Sequence, residues 1–223
     1  KTILLCGAGG FLGRYFVELV AHLNSSKDRS PITLIAVDNF ITEPTATHLS
    51  DTPNNITFHK MDIINGIHFD FDIDYIIHAA GIASPFYYRA YPLETLEVAI
   101  MGTKNMLSLA QQKGARFTFF SSSEIYGDPD PQHVPTAESY RGNVTCHGPR
   151  ACYDESKRMG ETLCYIYHTK NDTETIEVLK TMRADEDEHA QEAVENGSES
   201  LSEPTKKLMS FTAKVMTSSS AYI

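Results

Sequence analysis

Tyr153 and Lys157 stand four apart in the run CYDESKRMGETL (residues 152–163), a spacing that sets both on one face of a helix. A lysine ammonium beside a phenol favours the phenolate and draws the tyrosine pKa from about 10 toward neutral pH. A tyrosine activated in this way takes a proton from a secondary alcohol while hydride leaves the same carbon. By itself the pair says little, because Tyr-x-x-x-Lys also arises by chance on surface helices. The run SSSE at residues 121–124 changes its weight. It closes the apolar run FTFFS (117–121), so hydroxyls and a carboxyl stand at the C-terminal end of an expected strand. In open α/β sheets ligands bind outside those strand ends. There the Ser122 hydroxyl can bond a reacting oxygen, and Glu124 can serve as a second acid or base.

A second group of residues suits a phosphate ligand. GAGGFLG (7–13) offers the spacing Gly7-x-x-Gly10-x-x-Gly13 directly after a β-type run and at the start of a helical one. Glycine permits a tight strand-to-helix turn, lets backbone approach a pyrophosphate and allows close helix–strand packing. The helix N-terminus then presents free N–H groups and partial positive charge. An ordinary turn accounts for a lone glycine triplet, and its placement here is what favours the cofactor reading. Asp38 ends the next apolar run, where a carboxylate accepts hydrogen bonds from adenosine ribose hydroxyls and repels a 2′-phosphate, favouring NAD over NADP. A solvated Asp closing a strand is the plain alternative. Asp62 is a candidate neighbour of the adenine amino group.

These residues need a scaffold, and the periodicity supplies one. Short apolar runs at 2–6 (TILLC), 32–37 (ITLIAV), 56–59, 75–80 (YIIHAA) and 117–121 read as strands. Between them, residues 11–23 repeat apolar positions at helical spacing, and 92–112 and 151–168 read as further helices. Strands alternating with helices predict βαβ units and a parallel sheet covered on both faces.

Composition narrows the class. The chain has 223 residues, 41% of them hydrophobic, and a formal net charge of −10, which suits a packed core and speaks against a nucleic-acid partner. No apolar run reaches the roughly 18 residues of a membrane span, and no basic-then-apolar leader opens the chain. The four cysteines lack CxxC or zinc-type spacing, consistent with reduced thiols in a cytoplasmic setting. No HExxH or comparable metal spacing occurs, so no metal is expected. Residues 181–223 carry 8 of the 29 acidic and 4 of the 19 basic residues, which places an organisational break near residue 180.

With GAGGFLG, Asp38, HAAG (78–81), SSSEIYGD (121–128) and Tyr153-x-x-x-Lys157 together, the first 170 residues resemble the extended short-chain dehydrogenase/reductase family acting on nucleotide sugars. Within it, GPRACYDESKRMGETLCYIYH (148–168) and SPFYYRAYPLETL (84–96) look most like the UDP-glucuronate decarboxylases. The resemblance implies a Rossmann-type doubly wound α/β domain over 1–180 that holds NAD. Gly7, Gly10, Phe11, Leu12, Gly13, Asp38, Asn39, Asp62, Ile63, Ala79, Ala80 and Gly81 would contact the cofactor, together with Tyr153 and Lys157. Tyr153, Lys157, Ser122 and Glu124 would be catalytic, and Ser84, Tyr88, Ser123 and Arg150 would meet the UDP-sugar.

The implied reaction is deprotonation of the C4 hydroxyl by Tyr153, hydride passage to NAD, loss of carbon dioxide from the resulting β-keto acid, and hydride return to give UDP-xylose. Sister 4,6-dehydratases carry Thr-Asp-Glu where this chain has Ser122-Ser123-Glu124, so the Asp that expels water there is absent. Another nucleotide-sugar epimerase or 4,6-dehydratase-like enzyme, or a catalytically dead NAD-binding scaffold lacking the substrate lobe, remains the alternative. The resemblance also implies a homodimer through the helices at 92–112 and 151–168.

Two departures stand out. Ala99 falls where relatives usually carry an Asn of the proton relay. Beyond residue 180 the family's Arg-x-Phe-Asn-x-x-Gly-Pro segment has no counterpart, although residues 175–182 (TIEVLKTM) could form a sixth strand. Residues 181–223 are therefore expected to be an incomplete or atypical substrate subdomain.

Overall fold

The run TILLC becomes β1 (Thr2–Cys6), the middle strand of the sheet, and its continuous apolarity follows from burial on both faces. Four strands join it in the computed structural model, which describes residues 1–26, 30–42 and 55–171. They are β2 (Thr33–Asp38), β3 (Ile56–Lys60), β4 (Tyr75–His78) and β5 (Arg116–Phe119). The spatial order is β3-β2-β1-β4-β5, with every pairing parallel. Strand order reverses between β1 and β4, and that reversal opens a crevice at the carboxyl ends where ligands of such sheets sit.

Alternation along the strands feeds two cores. Leu4 and Cys6 of β1 point to one side, where they meet Ile35, Val37, Ile76 and the helix residues Met106 and Leu109. Leu5 points to the other side, against Leu34, Ala36, Ile56 and Val20. The first side is covered by α4 (Thr103–Lys113), and the second by α1 (Phe11–Ser25). Leu4, Leu5 and Leu34 are essentially inaccessible to solvent, and each such side chain contributes about 1.5–3 kcal/mol of transfer free energy. α5 (Ala151–Asn171) packs beside β5. A Cβ on Gly160 would lie 2.2 Å from the Phe119 ring, so the missing side chain lets α5 approach the strand and brings Tyr153 and Lys157 to its carboxyl end.

The sheet and helices agree with the expected layout, with differences at element ends. The ladders of β4 and β5 stop at His78 and Phe119, so Ala79, Ala80, Phe120 and Ser121 leave the sheet and line its mouth. A short helix, α2 (Pro85–Ala90), precedes the expected helix at 92–112, which is itself divided. It consists of α3 (Pro92–Glu97), a π turn (Val98–Gly102) and α4. A π turn adds one residue to the helical ladder. Here it coincides with Gly102 pressed against Ile63, whose side chain lies 2.9 Å from where a Cβ would stand. The candidate sixth strand at 175–182, the acidic passage at 185–203 and the boundary at 180 lie outside the described residues.

Candidate active site

The glycine turn is held by backbone and by close contact. Gly7 and Ala8 N–H both donate to Val37 O, at 2.9 and 3.2 Å, tying the turn to the end of β2. Gly7 adopts φ +82°, a left-handed conformation that side chains disfavour. A Cβ on Gly13 would lie 2.1 Å from Gly7 O, so α1 can start this close to β1 only without one. Gly7 and Gly10 line a cleft together with Asp38, Asp62, Ala80 and Gly81, at the carboxyl ends of the strands where ligands of such sheets sit. Phe11 and Leu12 open α1 with exposed side chains, so what they offer the cleft is the backbone N–H of a helix's first turn.

The far wall of the cleft is a network of side-chain amides and carboxylates. Asp38 accepts from Gly9 N–H at 2.9 Å and from Phe40 N–H at 2.7 Å, fastening the glycine loop to β2. Asn39 donates its amide to Asp62 at 3.0 Å, and Asp62 also accepts from Ile64 N–H at 3.0 Å, closing a short 3-10 turn over Ile63–Asn65. From α4, the Asn105 amide donates to Ile63 O and Ile64 O, both at 2.8 Å. Asn105 belongs to none of the motifs legible in the sequence. Its signal was a half-buried amide next to the buried Met106 of that helix.

At the mouth of β4 and β5, Lys157 is largely buried and donates to Phe120 O at 2.8 Å. Its ammonium lies 5.2 Å from the Phe119 ring centroid and 5.8 Å from that of Tyr153, within cation–π range. A Cβ on Gly81 would stand 3.2 Å from that Nζ. Burial pushes the Lys157 pKa down to about 8. Tyr153 is itself buried and stacks face to face on Tyr88, with centroids 5.4 Å apart and planes 10° from parallel. Tyr88, expected at the sugar, is thus buried as the support of the phenol ring. Cys152 adds a 3.6 Å contact to Tyr88 O.

His78 packs between Phe117 and Phe119, and its Nε2 lies 3.0 Å from Thr103 Oγ1. Burial first, and the Lys157 charge second, push its pKa down to about 3. It is neutral at working pH and acts as packing. Ala99 lies buried in the π turn and offers no polar side-chain atom.

Ser122 caps the 3-10 turn Ser123–Tyr126, its Oγ accepting from Glu124 N–H at 3.3 Å. The Glu124 carboxylate is ion-paired with Arg150, whose guanidinium also stands 3.8 Å from Asp154. Asp154 is mostly buried, and burial pushes its carboxyl above the usual range, against the opposing pull of Arg150. Ser123 is exposed beside this pair, and exposed Ser84 precedes α2. The fold therefore gathers Tyr153, Lys157, Ser122, Glu124 and Arg150 around the carboxyl end of β5, beyond the glycine turn and cleft. Among the described residues there is no His/Cys/Asp/Glu cluster that could hold a metal.

The geometry has close parallels. The NAD dependent epimerase/dehydratase family matches residues 3–180. UDP-glucuronic acid decarboxylase 2 of Arabidopsis thaliana is 41% identical over 169 residues, 74% of this chain and 35% of that protein. UDP-glucuronic acid decarboxylase 1 of Xenopus tropicalis is 38% identical over 75% of this chain and 37% of its own length. The chain spans well under half the length of these curated relatives. A crystal structure of UDP-galactose 4-epimerase superposes with a TM-score of 0.56 and 25% identity, over 75% of this chain and 51% of that one. The UDP-glucuronic acid 4-epimerase of Bacillus cereus, solved with NAD, gives 0.54 at 23% identity, over 75% and 52%. With the 3-2-1-4-5 parallel sheet and the family match spanning most of its length, the chain belongs to the NAD dependent epimerase/dehydratase family.

Proposed function

We propose that this chain carries the cofactor-binding and catalytic part of an NAD-dependent nucleotide-sugar decarboxylase that converts UDP-glucuronate to UDP-xylose through a 4-keto sugar. The observation that carries the reading is the gathering of Ser122, Glu124, Tyr153 and Lys157 at one strand end, next to a cleft walled by the glycine turn and Asp38. The run Ser122-Ser123-Glu124 and the names of relatives 36–41% identical favour decarboxylation over sister reactions.

The residues suit NAD. The Gly7 turn leaves no room for a side chain, since a Cβ there would meet Ala80 N at 2.5 Å, and the first turn of α1 presents N–H groups to a pyrophosphate. Asp38 keeps acceptor capacity for ribose hydroxyls, because each of its oxygens takes one backbone N–H and has a further lone pair. Bound there, NAD supplies a hydride acceptor that returns the hydride, so no net oxidation results.

The chain's own groups do the rest. Tyr153 takes the C4 hydroxyl proton, with the neighbouring Lys157 ammonium stabilising the phenolate. Ser122 donates a hydrogen bond to the C4 oxygen, steadying the charge that gathers there as the C5–carboxylate bond breaks. Glu124 handles the proton at C5. Arg150 stands beside Glu124, Ser84 and Ser123 border the sugar, and Tyr88 holds Tyr153 in plane.

Residues 1–180 are proposed as the cofactor domain and 181–223 as a separate segment. A homodimer would pair the α3–α4 and α5 faces, where Met101, Met159 and Tyr165 are exposed. Among the described residues no helix is long and apolar enough to cross a membrane. A cytoplasmic site and the lack of a nucleic-acid partner complete the reading.

Incubation with UDP-glucuronate and NAD, followed by proton NMR and carbon dioxide capture, tests it. UDP-xylose with stoichiometric carbon dioxide is expected. UDP-galacturonate without gas would make the chain an epimerase, and NAD binding without turnover would leave a cofactor-binding scaffold.

A further inference from the structure

Asn105 lies on α4 and is not among the residues lining the cleft, yet its amide is the link between that helix and the cleft's far wall. Both amide protons are spent on consecutive carbonyls, Ile63 O and Ile64 O, each at 2.8 Å. Two bonds from one planar amide fix the orientation of both peptide units. The same turn donates Ile64 N–H to one Asp62 oxygen, while Asn39 donates to the other. Ile63 in turn is buried against Gly102, within the π turn that immediately precedes α4. The Asp62 carboxylate is thus aimed by a chain of contacts that begins at Asn105.

We propose that Asn105 is a positioning residue that sets the Asp62–Ile64 wall and through it the affinity and base selectivity of the cleft for the adenosine half of a dinucleotide. The inference rests on the reading that the cleft takes NAD. An adenine amino group donates, and a carboxylate held in place accepts; a hypoxanthine ring has a carbonyl at that position, which the carboxylate repels. If Asn105 aims Asp62, its loss blunts this discrimination as well as the affinity. A residue with only a structural role would lower stability and leave the ratio of the two affinities unchanged.

Calorimetric titration of the full chain with NAD and with its hypoxanthine analogue tests this, using wild type, Asn105→Asp and Asn105→Ala. The Asp variant keeps the volume and faces the two carbonyls with acceptors, and the Ala variant removes the side chain. Wild type is expected to prefer NAD. Both variants are expected to bind NAD about tenfold more weakly, the worth of the one charge-assisted hydrogen bond that a misaimed Asp62 would no longer make to the adenine amino group, with the preference for adenine falling toward unity. Urea unfolding run in parallel selects conditions under which each variant is folded. A folded variant that retains the wild-type preference overturns the inference, whatever its absolute affinity. Failure of wild type to bind NAD overturns the underlying reading of the cleft instead, so the two failures are told apart.

Discussion

Lys157 offers the sharpest test of the site's electrostatics. Its ammonium sits in a largely buried position with Phe120 O as a carbonyl acceptor, and burial pushes its pKa from 10.5 to about 8. A folded pKa below the unfolded one means that the folded state holds this proton at a cost. The cost is fully present below pH 8 and fades as pH rises toward 10.5. The shift corresponds to about 3 kcal/mol of destabilisation near pH 7, and to about 1.4 kcal/mol near pH 9.5. The Lys157 contribution to stability should therefore improve by about 2 kcal/mol across that interval. Replacing Lys157 by Met removes the charge and fills the same apolar space beside Phe119. The assay is urea unfolding of wild type and Lys157→Met, without cofactor, at both pH values. Subtracting the two curves cancels the tyrosines and cysteines that titrate in the same range. Wild type is expected to gain about 2 kcal/mol relative to the variant on going to the higher pH. Identical pH dependence in the two proteins would refute the claim that the fold holds Lys157 at a cost.

Other consequences can be checked with simple measurements. Tyr153→Phe keeps the ring stack on Tyr88 but removes the proton acceptor, so turnover of UDP-glucuronate should fall by at least about a hundredfold; near-normal product formation by NMR would remove Tyr153 from the chemistry. Gly13→Ala drives a Cβ to 2.1 Å from Gly7 O and should lower stability by about 1–3 kcal/mol in urea unfolding, together with loss of the NAD-dependent rise in Tm. An unchanged Tm and NAD response would show that the turn has slack. Cys146 is exposed, whereas Cys6 is buried with its thiol pushed up to about 12. Mass spectrometry after brief iodoacetamide treatment at neutral pH should therefore find label on Cys146 and none on Cys6; equal labelling would mean that β1 opens readily.

Much of the scaffold was legible because its signals are local. TILLC ending in glycines, followed by apolar residues at helical spacing, can be read as strand, turn and helix without knowing what packs on them. Tyr153 and Lys157 were legible for the same reason, since one helix sets their relation. Asn105 was not, because its partners Ile63 and Ile64 lie about forty residues away in sequence. The division of the helix at 92–112 was hidden as well. The π turn depends on Gly102 meeting Ile63, and no periodicity within the helix announces that contact. The stack of Tyr88 on Tyr153 was hidden too, because the two residues lie 65 positions apart and only the packing of α2 against α5 brings their rings together.

The sequence by itself determined the order of strands and helices, the glycine turn, the acidic end of β2 and the residue types available for proton transfer. Each of these is set by neighbours within a turn or two of chain, through propensity, spacing and side-chain chemistry. Only the tertiary structure decided which of those groups meet. Parallel pairing brought the ends of β4 and β5 together, Gly160 let α5 come close, and burial then gave Lys157 its carbonyl partner and lowered its pKa. Burial and long-range contact depend on the whole packed chain, so the local pattern names the groups and the packing sets how they act.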